Sequence, residues 1–176
     1  KLMEFWELLQ ERRSIREFDP ERDVPVDVVE KLLEAAILAP TAGDRQPWHY
    51  VVVRDPDVKQ GIAHMALRQE FIAMAPVVIV VCGEPERSGA RLGQEMADLH
   101  TVQDTSAAAE HILLAATDLG LASCWASALR EKELREVLNL PEVYRPLTIV
   151  PVGYALRRPG ARAPRRLVSE VTTYIE

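Results

Sequence analysis

The sequence predicts an α+β domain, either a plain α+β fold or a mixed three-layer sandwich with helices on both sides of a sheet. Three observations carry this reading. Val77-Val78-Ile79-Val80-Val81-Cys82 is an unbroken, mostly β-branched run, the pattern of a strand covered on both faces. The segments around it place apolar residues at helical spacing. Helices and strands also follow one another without the strict βαβ alternation of a doubly wound sheet. A chain of 176 residues suffices for one domain with a real core, and neither a repeat nor a low-complexity linker divides it, so residues 1–176 read as a single unit.

The elements follow in order. Phe5, Leu8 and Leu9 set a helix from about Glu4 to Arg13. Val28, Val29, Leu32, Leu33, Ala36 and Ile37 set a second, Asp27 to Leu38, which Pro40 closes. Ala39 to Trp48, with two prolines, Gly43 and Asp44, is a loop, and Trp48 reads as a core plug. A valine-rich strand covers His49–Arg54, and a helix with Ile62, Met65 and Ala66 inward covers Asp57–Ala73. After the Val77–Cys82 strand, Glu84–Gly93 is a polar connector. Gln94–Leu119 is a long alanine-rich helix, apolar nearly all round. That suits either a core helix or a subunit interface. Gly120 stops it. A short helix at Glu131–Leu138 and a strand at Leu147–Ala155, interrupted by Pro151 and Gly153, complete the domain. The tail, residues 157–176, carries Arg157, Arg158, Arg162, Arg165 and Arg166 and then apolar Val168, Val171 and Ile175, so its end is expected to dock on another surface.

Composition narrows the function. A net charge of -6 argues against a general nucleic-acid binder, which needs a wide positive field. The four histidines are scattered without ligand spacing, so no metal site is expected. Cys82 and Cys124 lie in apolar runs and read as buried small hydrophobes of a reducing, cytoplasmic compartment. No apolar run is long enough to span a membrane. Lys1 and Leu2 precede Met3 and read as residues left from expression.

Arg12-Arg13-Ser14-Ile15-Arg16-Glu17-Phe18 concentrates three guanidiniums and a hydroxyl at the end of the first helix. Guanidinium forks and a short hydroxyl match phosphate oxygens. A helix C-terminus also attracts cations, so a capped helix end with solvated arginines fits as well. With the basic tail, two arginine clusters from opposite ends of the chain could close on one phosphate-bearing ligand. There is no G-x-G-x-x-G after a strand and no Walker loop, and no nucleophile–base pair stands out. A cofactor that carries the chemistry is the simplest account.

Four stretches in order, Arg12–Phe18, Ala39-Pro40-Thr41 with Gln46-Pro47-Trp48, Leu119–Trp125 and Pro151-Val152-Gly153-Tyr154, resemble the FMN-dependent nitroreductase family from Glu4 to about Val171. The resemblance implies a three-layer α-β-α sandwich built as an intertwined homodimer, with FMN at the interface and the tail packed on the partner subunit. It assigns Arg12, Arg13, Ser14 and Arg16 to the flavin's phosphate, ribityl chain and pyrimidine edge, and Arg165 and Arg166 to the phosphate. Pro40, Thr41 and Ala42 would reach the flavin from the other subunit. Ala126 and Ser127 match a turn whose amide approaches flavin N5, and Gln69 falls near a pyrimidine contact. No side chain is expected to be catalytic. The implied activity is two-electron transfer from NADH or NADPH to nitroaromatic, quinone or related small acceptors, by a ping-pong mechanism. A reductive dehalogenase of the same family and a flavin carrier or sensor without turnover are the alternatives. Gly43-Asp44-Arg45 and Ala126-Ser127-Ala128 depart from the family pattern, which usually has serine and asparagine in the first place and glycine in the second.

Overall fold

The structure, a computed structural model, describes residues 3–89, 93–127 and 130–176. Lys1, Leu2, part of the Glu84–Gly93 connector and Ala128 lie outside them. The elements are α1 (Phe5–Glu11), α2 (Val26–Ala36), β1 (Trp48–Val53), α3 (Pro56–Met65), α4 (Phe71–Met74), β2 (Val77–Gly83), α5 (Pro85–Ser88), α6 (Gln94–Asp118), β3 (Ala122–Ser123), β4 (Ala126–Ser127), α7 (Glu131–Val137) and β5 (Arg145–Gly153). Single 3-10 turns stand at Ala42–Asp44 and Val168–Glu170.

The strands pair antiparallel in the order β1-β2-β5-β3, and β4 also pairs β5. Every residue of β2 is buried. Its alternate side chains enter two separate cores. Val77, Ile79 and Val81 pack with α2 and α6, whereas Val78, Val80 and Cys82 pack with α3, α4 and α7. That alternation makes three layers, and an antiparallel sheet reaches two-sided burial here because helices cover both of its faces. Gly83 ends β2 where α6 passes close by. A Cβ at that position would stand 2.2 Å from the Thr101 methyl carbon.

Two expectations need correction. The helix read over Asp57–Ala73 is two helices. Leu67 and Arg68 take φ of 58° and 59°, and Gln69 N–H closes back onto Ala63 O at 3.1 Å, so the chain turns between α3 and α4. Neither residue is a turn former, and the apolar stripe runs across the break. Pro151 also does not interrupt the last strand, which runs unbroken from Arg145 to Gly153. Pro151 opposes Val78, and its carbonyl accepts from Cys124 N–H at 3.3 Å. The irregularity falls at the other proline of the strand: Pro146 pairs Cys82 while Thr148 pairs Val81, so Leu147 is skipped in the register.

The end of α6 matches its sequence signal. Gly120 at φ 73° lets Leu121 N–H reach Ala116 O at 2.7 Å and its own N–H reach Thr117 O at 3.0 Å, a Schellman turn. The chain then drops directly into β3.

Candidate active site

The site begins where α1 ends. Beyond Glu11 the chain runs alongside β3. Ser14 bridges Ser123 in parallel, Ile15 N–H donates to Ser123 O at 2.9 Å, and buried Phe18 bridges Ala155. Extended backbone carries side chains four residues apart on the order of 13 Å along the segment. Arg12 pairs loosely with Glu110 of α6 at 3.8 Å, and the Arg16 guanidinium stands 5.5 Å from the centre of the Phe71 ring at the start of α4.

The tail returns to this segment. Arg162 donates to Leu9 O at 3.1 Å and Gln10 O at 2.9 Å, and also to Arg12 O. It therefore satisfies the free carbonyls at the end of α1 and meets the negative end of the helix dipole. In return Arg13 donates to Gly160 O at 2.7 Å and Ala161 O at 3.0 Å. Capping of α1 thus falls to a residue of the tail, while Arg12 and Arg13 make contacts away from their own helix end. Burial, and then the charges of Arg165, Arg12 and Arg13, push the Arg162 guanidinium down from its ordinary value. Four cations from the two ends of the chain therefore share one region.

Two adjoining cavities open there. One, of about 320 Å³, is lined by Arg13, Ser14, Ile15, Arg16 and Glu17 with Arg157 to Gly160. The other, of about 430 Å³, is lined by Gln10, Glu11, Arg13, Arg158 and Arg162 among others. Glu17 pairs with Arg157 and tethers the far wall, with Arg157 Nη2 at 2.6 Å from its carboxylate. Ser123 Oγ is buried beside this segment with no partner among the described residues. Cys124 is buried as expected. Burial raises its thiol, against which Arg16, Ser14 and Arg12 pull downward, so the sulfur sits next to the Arg12–Arg16 segment. Sequence reasoning missed that neighbourhood.

The remaining expected residues are placed as follows. Gln69 donates its amide to Ala66 O at 2.8 Å, two residues before the Phe71 that underlies Arg16. Ala126 and Ser127 form β4 against Ile149 and Thr148, a strand pairing and not an isolated turn. Arg165 and Arg166 are exposed and line neither cavity, and Arg166 turns to Glu170, donating to its backbone carbonyl at 2.8 Å. Arg157 and Arg158 occupy the cavity wall instead. Pro40, Thr41 and Ala42 lie beyond α2, against the middle of α6, and line neither cavity. Their loop is braced internally: Thr41 Oγ1 accepts from Gln46 N–H at 3.2 Å, and Asp44 accepts from the Gln46 amide at 2.9 Å. Gly43, Asp44 and Gln46 all have positive φ. Among the described residues no cluster of His, Cys, Asp or Glu could hold a metal, and no helix is long and apolar enough to cross a membrane.

Fold and site together define an α+β protein with two adjoining arginine-lined cavities and, among the described residues, no paired acid, base or nucleophile lining them. The sequence model of the family described as Nitroreductase family matches residues 9–69 and 58–154. A relative from Archaeoglobus fulgidus named "Putative NADH dehydrogenase/NAD(P)H nitroreductase" is 39% identical over 151 residues, covering 84% of this chain and 83% of that protein. An iodotyrosine deiodinase from Haliscomenobacter hydrossis is 27% identical over 195 residues, covering 93% and 84%. The crystal structure of a nitroreductase family protein from Clostridium novyi NT superposes with a TM-score of 0.78 at 32% identity, covering 87% and 86% of the two chains. The chain belongs to the nitroreductase family and is an oxidoreductase of that family.

Proposed function

We infer that this protein is an FMN-dependent reductase, active as a homodimer, that passes two electrons from NADH or NADPH to nitroaromatic, quinone or related small acceptors. The observation that carries the reading is the convergence of Arg13, Arg16, Arg157 and Arg158 on the cavity at Ser14, with Arg162 in the adjoining one. The buried and unpartnered Ser123 hydroxyl lies beside that segment. Clustered guanidiniums repel one another unless an anion lies among them, and a buried hydroxyl without a partner calls for a polar group. Both features fit a flavin phosphate and its ribityl chain.

Arg12, Arg13 and Ser14 would hold the phosphate and ribityl end, with Arg165 and Arg166 closing on it from the tail. Arg16, braced on Phe71, would face the pyrimidine edge, where a fixed cation opposes negative charge, with Gln69 close by. Pro40, Thr41 and Ala42 would come from the other subunit, and the backbone of Ala126 and Ser127 would border the reactive ring nitrogen. FMN supplies the two-electron chemistry when bound. The chain's own work is binding, orientation and electrostatic bias.

Reductive dehalogenation is the second reading, favoured by relatives named iodotyrosine deiodinase that match across most of this chain. The test is direct. Purified protein should be yellow and release FMN, not FAD, on denaturation. NADH or NADPH should bleach it anaerobically, and a nitroarene or quinone should restore the colour. Restoration by halotyrosines alone would favour the second reading, and a colourless protein that takes up no FMN would end both.

A further inference from the structure

We propose that Asp104, in the middle of α6, is a positioning residue that fixes the Pro40-Thr41-Ala42 loop in its flavin-facing shape. It would therefore act on the flavin bound by the other subunit. The inference rests on the flavin reading above. Asp104 is buried, and both of its carboxylate oxygens lie 3.2 Å from Ala42 N–H, a residue 62 positions away. Burial raises its carboxyl, opposed by the Ala42 amide and by His100. The neighbouring hydroxyls are engaged elsewhere: Thr101 bonds Ala97 O and Ser88 of α5, and Thr105 bonds Thr101 O.

The two ends of the loop are held differently. Its exit is fixed by backbone carbonyls, with Arg87 donating to Arg45 O and Glu84 N–H to Pro47 O, both at 2.8 Å. At its entry, among the described hydrogen bonds, the Asp104–Ala42 pair is the one that ties the turn to the rest of the fold. A buried carboxylate is costly to maintain, and one used only for packing would be better replaced by an apolar residue. This one sets where the Ala42–Asp44 turn begins, and so the direction of the Thr41 and Ala42 backbone.

Three variants test it. Asp104→Ala removes the acceptor. Asp104→Asn keeps a side-chain oxygen in place. Ala42→Pro removes the donor without touching α6, and Thr41, at φ −135° and ψ 150°, already has the conformation that precedes proline. Asp104→Ala and Ala42→Pro should each weaken FMN binding about tenfold. Each should also speed tryptic cleavage at Arg45–Gln46 in flavin-free protein. Asp104→Asn should stay close to wild type in both. Action across the interface is tested with heterodimers purified through two tags, one subunit carrying Asp104→Ala and the other Arg12→Ala. One of their two sites should regain wild-type affinity, since it combines an intact Arg12 with an intact loop. Unchanged FMN affinity in Asp104→Ala, an Asp104→Asn variant as weak as Asp104→Ala, or heterodimers no better than either parent would overturn the proposal. Wild-type dimers that take up no FMN would remove the flavin reading, whereas tryptic rates unchanged in Asp104→Ala and Ala42→Pro would remove the pin. The tryptic rate separates the two failures, because it depends on the pin alone.

Discussion

The loop from Ala39 to Pro47 and the tail from Leu156 to Glu176 are both assigned to the same ligand, yet they are held in opposite ways. The loop is finished within one protomer. Its hydroxyl, carboxyl and amide groups bond one another, three of its residues accept positive φ, and a buried carboxylate pins its entry. The tail is held by guanidiniums on backbone carbonyls, and Leu167, Val168, Val171, Tyr174 and Ile175 remain exposed, Ile175 by 96%. Five large apolar side chains left in water are the surface that the homodimer proposed above would cover. The loop is preformed, whereas the tail, on the dimer reading, is completed by a second surface.

The largest expected effect comes from removing the unfinished segment. A chain ending at residue 156 should lose both dimerisation and FMN retention while keeping its far-ultraviolet helix signal. Light scattering of the intact protein should give about twice the 19.8 kDa chain mass. An intact chain at monomer mass with FMN bound would break the contrast. Next in size, Arg12→Ala should weaken FMN binding by about 1.5–3 kcal/mol, one to two decades in affinity. Its folding cost should stay below about 1 kcal/mol, because the Glu110 pair is long and half exposed. FMN titration beside a urea melt of apo-protein separates the two quantities.

Arg162→Ala should reverse that balance. It removes the cap of α1, so denaturant stability should fall by up to about 1 kcal/mol, less at high salt. The smallest stability effect belongs to the charge of the loop's pin and is read against pH. The folded-state pKa of Asp104 is raised, so the native protein holds a proton that the unfolded chain has released in the window just above the ordinary carboxylate range. Stability falls as pH rises through that window. Asp104→Asn should flatten this part of the profile, matching wild type below the window and standing above it at higher pH. Arg45→Ser should leave every equilibrium unchanged. It should lower only the second-order rate with NADPH or a carboxylated nitroarene, most at low ionic strength, since an exposed charge acts through encounter. Stopped-flow rates at two salt concentrations, with a neutral quinone as control, decide it.

Much of this architecture was legible in residue patterns. The β-branched run of β2, the alanine-rich α6 and its Gly120 stop lie where local chemistry puts them, as does the arginine segment. The division between α3 and α4 was hidden because Leu67 and Arg68, neither a usual left-handed residue, make the turn. Pro151 suggested a break that the sheet absorbs without one. The site's longer connections left no local trace. Arg162 caps a helix 150 residues upstream, Asp104 pins an amide 62 residues away, and Cys124 looked like any buried thiol. The ordered motifs include the Arg13–Glu17 side of the first cavity, but nothing in them indicated that Arg157 and Arg158 would wall it.

The return of Arg162 to the end of α1 also bears on how the protein is made. Helix α1 buries none of its residues, and its terminal carbonyls are met by a side chain that emerges from the ribosome about 150 residues later. Strand β2, the centre of the sheet, likewise waits for β5 before its second edge is paired. A nascent chain can therefore form α2, α3 and much of α6 early, but the sheet waits for β5 and the arginine-lined cavity for residues 157–162. A chain stopped before residue 157 would lack the Arg157–Gly160 wall of the cavity that Arg13 to Glu17 line.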